Sequence, residues 1–206
     1  MKTAEATKKI LMVGYQRRFD SEFLRLKGYV NATDEKPWKI QLSSADPVPA
    51  NWDTSKPEGL KYVLWNSICH EFDMLCWIYP NSQISFKLIK AMPNSGVYIL
   101  GEITHDHGVT TSFEIRHEKA HWKSYDNIVK VYSGLSREPE VFGHEFVVPK
   151  KGVYWEAYDN AYKRELEFFA RLVKGEAYEP GLMKTYLKTY NLHMDACRFI
   201  DEQASE

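Results

Sequence analysis

The sequence predicts an α+β fold: a large, mainly antiparallel, open-faced sheet with helices packed on one face. Two observations carry this. From Gln83 to Val148 the chain is β-branched and aromatic in short runs, separated by turn signals such as Pro93-Asn94-Ser95-Gly96 and His105-Asp106-His107-Gly108. Short links between successive strands argue for antiparallel hairpins. Before and after that block, apolar residues recur at spacings of three and four, the period of a helix. Strands grouped between helices build one helix-covered sheet rather than an alternating parallel one.

The elements follow in order. Met1 to Lys9 is polar and helix-compatible, and Ile10 to Arg18 reads as a strand that starts apolar and ends basic. Asp20 can cap a short helix carrying Phe23, Leu24 and Leu26, with Gly28 as its stop. Trp38 to Ala45 alternates as a strand does. Asp46 to Gly59, with Pro47, Pro49 and Pro57, is a loop. Leu60 to Tyr79 is a helix ended by Pro80. The strands then run Gln83–Ala91, Val97–Thr104, Val109–Arg116, Asn127–Ser133 and Val141–Val148. Tyr158, Ala161, Tyr162, Leu166, Phe169, Leu172 and Val173 form a helix stopped by Gly175, and Met183 to Cys197 repeats the pattern. The whole chain, 1–206, reads as a single domain.

Several central strands are apolar on both sides. Val97, Ile99, Phe113 and Ile115 do not all fit inward if Tyr98 and Leu100 are apolar too. The expectation is a second covered face, hence a homo-oligomer joined through the open sheet, with Val97 or Ile99 pointing outward.

Composition sets limits. A formal net charge of −1 gives no electrostatic case for nucleic acid or an anionic membrane. No apolar run approaches the ~18 residues of a membrane helix. Cys69, Cys76 and Cys197 make no disulfide framework and read as packing thiols of a reducing cytoplasm. His105 and His107, with His117 or His121, have no spacing specific to a metal, and none is expected.

The most informative stretch is Asn66-Ser-Ile-Cys-His70-Glu-Phe-Asp73. On a helix, positions i, i+4 and i+7 share a face, so Asn66, His70 and Asp73 point the same way. Three hydrogen-bonding groups on one stripe look like the wall of a polar pocket. His70 taken alone reads as a core histidine bonded to a carbonyl; the motif around it brings the pocket reading level with that one. Arg17 and Arg18 would alternate on a strand, one of them pairing with Asp20 or Asp73.

Together with Val13-Gly-Tyr-Gln-Arg17-Arg18-Phe19-Asp20 and Ser43-Ser-Ala-Asp46-Pro47, this helix resembles the C-terminal half of the Gfo/Idh/MocA family of nicotinamide-dependent dehydrogenases. The resemblance runs from about Ile10 to Ile78 and resumes weakly over Asn160–Phe169. It implies that the position of Arg17 lies near the substrate, that Asp46 helps line the pocket and that His70 is a catalytic histidine. Where the enzymes often carry an aspartate paired with that histidine, this chain has Asn66. Asparagine can hydrogen-bond an imidazole but cannot relay a proton to it by charge.

The family's dinucleotide-binding half is not in this sequence, and Met1 to Lys9 resembles the exit from it. No Gly-x-Gly-x-x-Gly is present; Gly96, Gly101 and Gly108 are isolated. Glu35-Lys36-Pro37 spells the family's lysine tripeptide, but downstream of the segment it should precede, and reads as a solvated turn. The expectation is a substrate-binding and oligomerisation module for a polyol or sugar, with no cofactor of its own and NAD(P) only if a Rossmann domain is supplied elsewhere. The alternative is the substrate half of an NAD(P)-dependent polyol, sugar or dihydrodiol dehydrogenase.

Overall fold

The protein is seen in a computed structural model, which describes residues 2–7, 9–32, 36–46, 53–93, 96–119, 124–147, 160–177 and 181–205. Glu35, Asn94, Ser95, His121, Val148 and Tyr158, named above, lie outside the described residues.

Its centre is a six-stranded sheet: β1 (Lys39–Asp46), β2 (Gln83–Met92), β3 (Gly96–Thr104), β4 (Thr110–Lys119), β5 (Ser124–Tyr132) and β6 (Glu140–Val147). The order across the sheet is β2-β3-β4-β1-β5-β6. Every pairing is antiparallel except β1 with β4. The strand limits match the sequence expectation closely. One pairing does not: β4 and β5 follow each other in sequence, yet β1 lies between them.

The helices are α1 (Lys2–Thr7), α2 (Ser21–Ala32), α3 (Pro57–Val63), α4 (Cys69–Ile78), α5 (Ala161–Val173) and α6 (Leu182–Gln203). Asp20 caps α2 as expected, accepting from the Glu22 amide at 2.9 Å. Gly28 does not stop that helix; α2 runs on to Ala32. A glycine on an exposed helix face costs about 1 kcal/mol against alanine, too little to end a helix that buries Phe23, Leu26 and Val30.

The core lies between the helices and one sheet face. Ile40, Leu42, Ile99, Ile103, Phe113, Ile115, Val129 and Val131 meet Phe72, Leu75, Leu192 and Ile200 there. Val97, Ile99, Phe113 and Ile115 all face this core, each fully buried, so the expected outward placement of Val97 and Ile99 is wrong. Side chains alternate along a strand, so Tyr98, Leu100 and Glu102 take the outer face instead. That face is mixed rather than apolar. Glu114 accepts from Lys39 and from Gln41, both at 2.8 Å, and Tyr132 donates to Gln41 at 2.8 Å. Trp38 and Val141 stay about half exposed beside them.

A bulge between Phe86 and Leu88 keeps β2 in phase with β3. Gly101 is required there: a Cβ would stand 2.2 Å from Phe113 Cζ. Among the described residues no helix is long and apolar enough to cross a membrane.

Candidate functional site

The strand expected over Ile10–Arg18 is absent. Residues 9–15 have no regular structure, and Gln16–Phe19 is a 3-10 turn. The reason is electrostatic. A strand would send Arg17 and Arg18 to opposite faces, whereas the turn sends both into the protein, against neighbouring acids of α4. Arg17 Nη1 meets Glu71 Oε1 at 2.5 Å. Arg18 clamps Asp73 with two bonds, Nε to Oδ2 at 2.7 Å and Nη2 to Oδ1 at 2.5 Å. Its third nitrogen donates to Thr185 Oγ1 at 3.1 Å, and the guanidinium lies 4.7 Å from the Tyr186 ring centre. Thr189 also donates to Asp73, at 3.2 Å. All four charged side chains are at most 5% exposed. The expected Arg18–Asp73 pair is therefore made. Asp20 pairs instead with His144, whose Nε2 lies 2.9 Å from Oδ1.

The helix bearing Asn66 and His70 is not uniform. Between α3 and α4 the chain makes a π-helical segment, Leu64–Ile68. Such wide turns occur mostly as single insertions and often near functional positions. Asn66 sits in it and is exposed, while His70 follows on α4 and is half-buried. Edge-on to His70, at 6.1 Å between ring centres, lies Tyr15. Asp73, next on the expected stripe, is buried and bonded by Arg18 and Thr189. Asp46 ends β1 opposite Lys119 in register, and its side chain lies outside the described residues. Arg17 is close enough to act electrostatically on His70. No hydrogen bond joins Asn66 to His70 among the described residues, and His70 Nδ1 is buried without a partner.

The electrostatics keep His70 neutral. Burial, then the charge of Arg17, bring its pKa down to about 4, with Glu71 opposing. Burial pushes the Glu71 carboxyl up, but Arg17 outweighs it and holds the group below the usual carboxylate range. The arrangement offers a neutral imidazole able to accept from, or donate to, a hydroxyl.

Four residues near this site escaped the sequence reading as functional groups: Tyr15, Glu71, Glu165 and His193. Glu165, on α5, is buried, and burial followed by Asp73 pushes its carboxyl up to about 7 against Arg18. His193, on α6, is stacked on Trp65 at 4.5 Å and meets Phe72 edge-on at 4.9 Å. Burial holds it at about 4. Glu71 had a visible signal, a second carboxylate close to Asp73 and beside His70 in a helix that is otherwise mostly apolar. His193 had none, because an aromatic at helical spacing reads as core.

His105 is taken by Ser82 at 2.9 Å and Thr111 at 2.7 Å, and His117 by Ser44 at 3.1 Å. No group of three metal-ligating side chains occurs among the described residues. Among the described residues Gly96 and Gly101 lie within β3 and Gly108 in the β3–β4 turn, so none of these three glycines opens a helix.

No family model matches the chain. It is 30% identical over 144 residues to the myo-inositol 2-dehydrogenase of Thermotoga maritima, a match covering 68% of this chain and 41% of that protein. It is 29% identical over 136 residues to an uncharacterized oxidoreductase of Bacillus subtilis, covering 65% and 38%. The chain thus spans about two fifths of these curated relatives. Its fold is shared with the myo-inositol dehydrogenase of Lactobacillus casei in complex with NAD(H) and myo-inositol, at a TM-score of 0.62 and 16% identity, over 88% of this chain and 57% of that one.

Proposed function

We propose that this chain, whose relatives are inositol dehydrogenases and oxidoreductases of the Gfo/Idh/MocA type, is a single substrate-binding and oligomerisation domain without redox activity of its own. The observation that carries this reading is His70: a neutral, largely buried imidazole just after a helix break. Its helix is pinned by two buried ion pairs, in a sequence with no dinucleotide-binding turn. Such a site binds a hydroxylated ligand by hydrogen bonds. Arg17, through Glu71, fixes the α4 backbone; Asn66 supplies an exposed amide; Asp46, at the end of β1, is assigned to the pocket on the family resemblance alone. Hydride transfer requires a nicotinamide, because no side chain supplies a hydride.

The ligand is a polyol or sugar of the inositol kind, by analogy with the substrate that names the Thermotoga maritima relative. The chain works in a reducing cytoplasm, which suits its three free thiols. Copies associate through the outer sheet face, where Trp38 and Val141 remain about half exposed. A second reading is favoured by the fold likeness to an enzyme seen in complex with NAD(H) and myo-inositol. In it, the chain is the substrate half of an NAD(P)-dependent dehydrogenase whose nucleotide-binding half lies on another segment or chain.

Calorimetric titration of the chain with myo-inositol and, separately, with NAD⁺ tests both readings. Inositol binding without NAD⁺ binding is the expected result. Micromolar NAD⁺ binding would overturn the non-redox reading, and absence of any polyol binding would remove both.

A further inference from the structure

Three polar atoms in the α4–α6 interface are buried and make no hydrogen bond: Glu71 Oε2 and both ring nitrogens of His193. A fourth, His70 Nδ1, belongs to the residue preceding Glu71 and is buried in the same way. His70 and Glu71 are adjacent in sequence, and the next residue, Phe72, packs its ring 4.9 Å from that of His193. Glu71 acts electrostatically on both imidazoles, and His193 acts on His70. Arg17 occupies Oε1 of Glu71 and so leaves Oε2 as its remaining acceptor. His117, bonded to Ser44 on the sheet, faces the same carboxylate. Trp65 and Phe72 wall the His193 ring. Buried polar atoms left together in this way are satisfied by an internal water, which makes two to four bonds.

We infer that Glu71 takes over the role open at Asn66: through one bound water shared with His193, it accepts the Nδ1–H of His70 and fixes that tautomer. The second nitrogen of His70, Nε2, is then a lone pair available to a ligand hydroxyl. Which nitrogen carries the proton is set by the bond the other makes. Glu71 is a positioning residue here, acting on the ligand only through His70. The inference rests on the reading that His70 serves a hydroxylated ligand, but its test does not depend on one.

The experiment is ¹⁵N NMR of the histidine side chains in the full chain at neutral pH, where both imidazoles are neutral. The wild type is expected to show His70 as the Nδ1–H tautomer. Glu71→Gln should mix the two tautomers and lower the His70 pKa further. His193→Phe keeps the aromatic stack while removing the nitrogens, and should weaken the tautomer preference without unfolding the chain. An Nε2–H tautomer in the wild type overturns the inference. So does an Nδ1–H tautomer unchanged in Glu71→Gln or, if that variant does not fold, unchanged in His193→Phe. Titrating myo-inositol into the same sample separates the two ideas. A fixed Nδ1–H tautomer with no inositol response at His70 removes the ligand reading and leaves Glu71's role standing.

Discussion

Asp73→Asn should be among the most damaging single substitutions in this protein. The Arg18–Asp73 pair is two-pronged, and its side chains are 3% and 2% exposed. Solvent screening, which reduces an exposed pair to about 0–1 kcal/mol, is missing here. Removing the carboxylate charge takes away both charge-assisted bonds to the buried guanidinium, whose other neighbours include the neutral Thr185 hydroxyl and the Tyr186 ring. Breaking one side of such a buried pair costs about 3–5 kcal/mol. Domains of this kind have only about 5–15 kcal/mol in all. With a urea slope of about 2 kcal/mol per molar, the unfolding midpoint should drop by about 1.5–2.5 M. Replacing both partners by apolar residues, Arg18→Met with Asp73→Leu, should cost less than the single change, because no charge is left uncompensated. The substitution carries a second readout. Asp73 is one of the influences lifting Glu165 to about 7, so Asp73→Asn should bring that carboxyl down. A single-mutant loss below about 1 kcal/mol, the size of an exposed pair, would refute the reasoning. So would a double mutant as costly as the sum of its parts.

Other expectations follow from the same structure. His70 and His193 stand at about 4 against an ordinary 6.5, so below pH 6.5 the unfolded chain takes up protons that the folded chain refuses. Stability should therefore fall from pH 6.5 toward 4, by about 2–3 kcal/mol per histidine near the acid end. Glu165 works in the opposite sense, its raised carboxyl costing stability as pH rises from 4.5 to about 7. Urea melts of the wild type and His193→Phe at several pH values isolate one histidine; parallel curves would contradict its share. Gly101→Ala should lose about 1–3 kcal/mol, since the new Cβ meets Phe113 and the Ser85 carbonyl, whereas Gly28→Ala has open space and should gain up to about 1 kcal/mol. Thermal melts decide both. On the sheet, Tyr98→Lys should weaken self-association in sedimentation, while Val97→Lys, pointing into the core, should unfold the chain.

How much of this was legible is clear from particular residues. The six strands were, because β-branched runs between turn signals are a local property. Their faces were not. Val97 and Ile99 differ from Tyr98 and Leu100 only in parity, and parity is set by which neighbours pair, a long-range fact. The segment before α2 misled for a similar reason: its apolar start and basic end mimic a strand. Only Glu71 and Asp73, more than fifty positions away, explain why both arginines turn inward. In the candidate site, His70 stood out through helix spacing and the family resemblance, and Arg17 through the resemblance alone. The wide turn at Leu64–Ile68 gave no sign, since a one-residue helical insertion leaves the apolar pattern nearly intact. His193 appears only when α6 is laid against α4, and the use of Glu71 only when Arg17 is placed beside it.

The place of β1 in the sheet has a consequence for how the protein is made. Lys39 pairs with Ser112 on one side and Tyr132 on the other, so β1 has no strand partner until most of the sheet has been synthesised. At a ribosomal rate of about 5–20 residues per second, Ile40 and Leu42 wait about 4 to 15 s for β4 to emerge. During that interval β2 and β3, a local hairpin, can already close. The nascent chain is then a helix-backed hairpin with an orphan strand, and the strand finds its slot only by a long-range closure, which is slow. Edge-seeking β1 is thus the segment that a chaperone, or a second unfinished copy, would meet first.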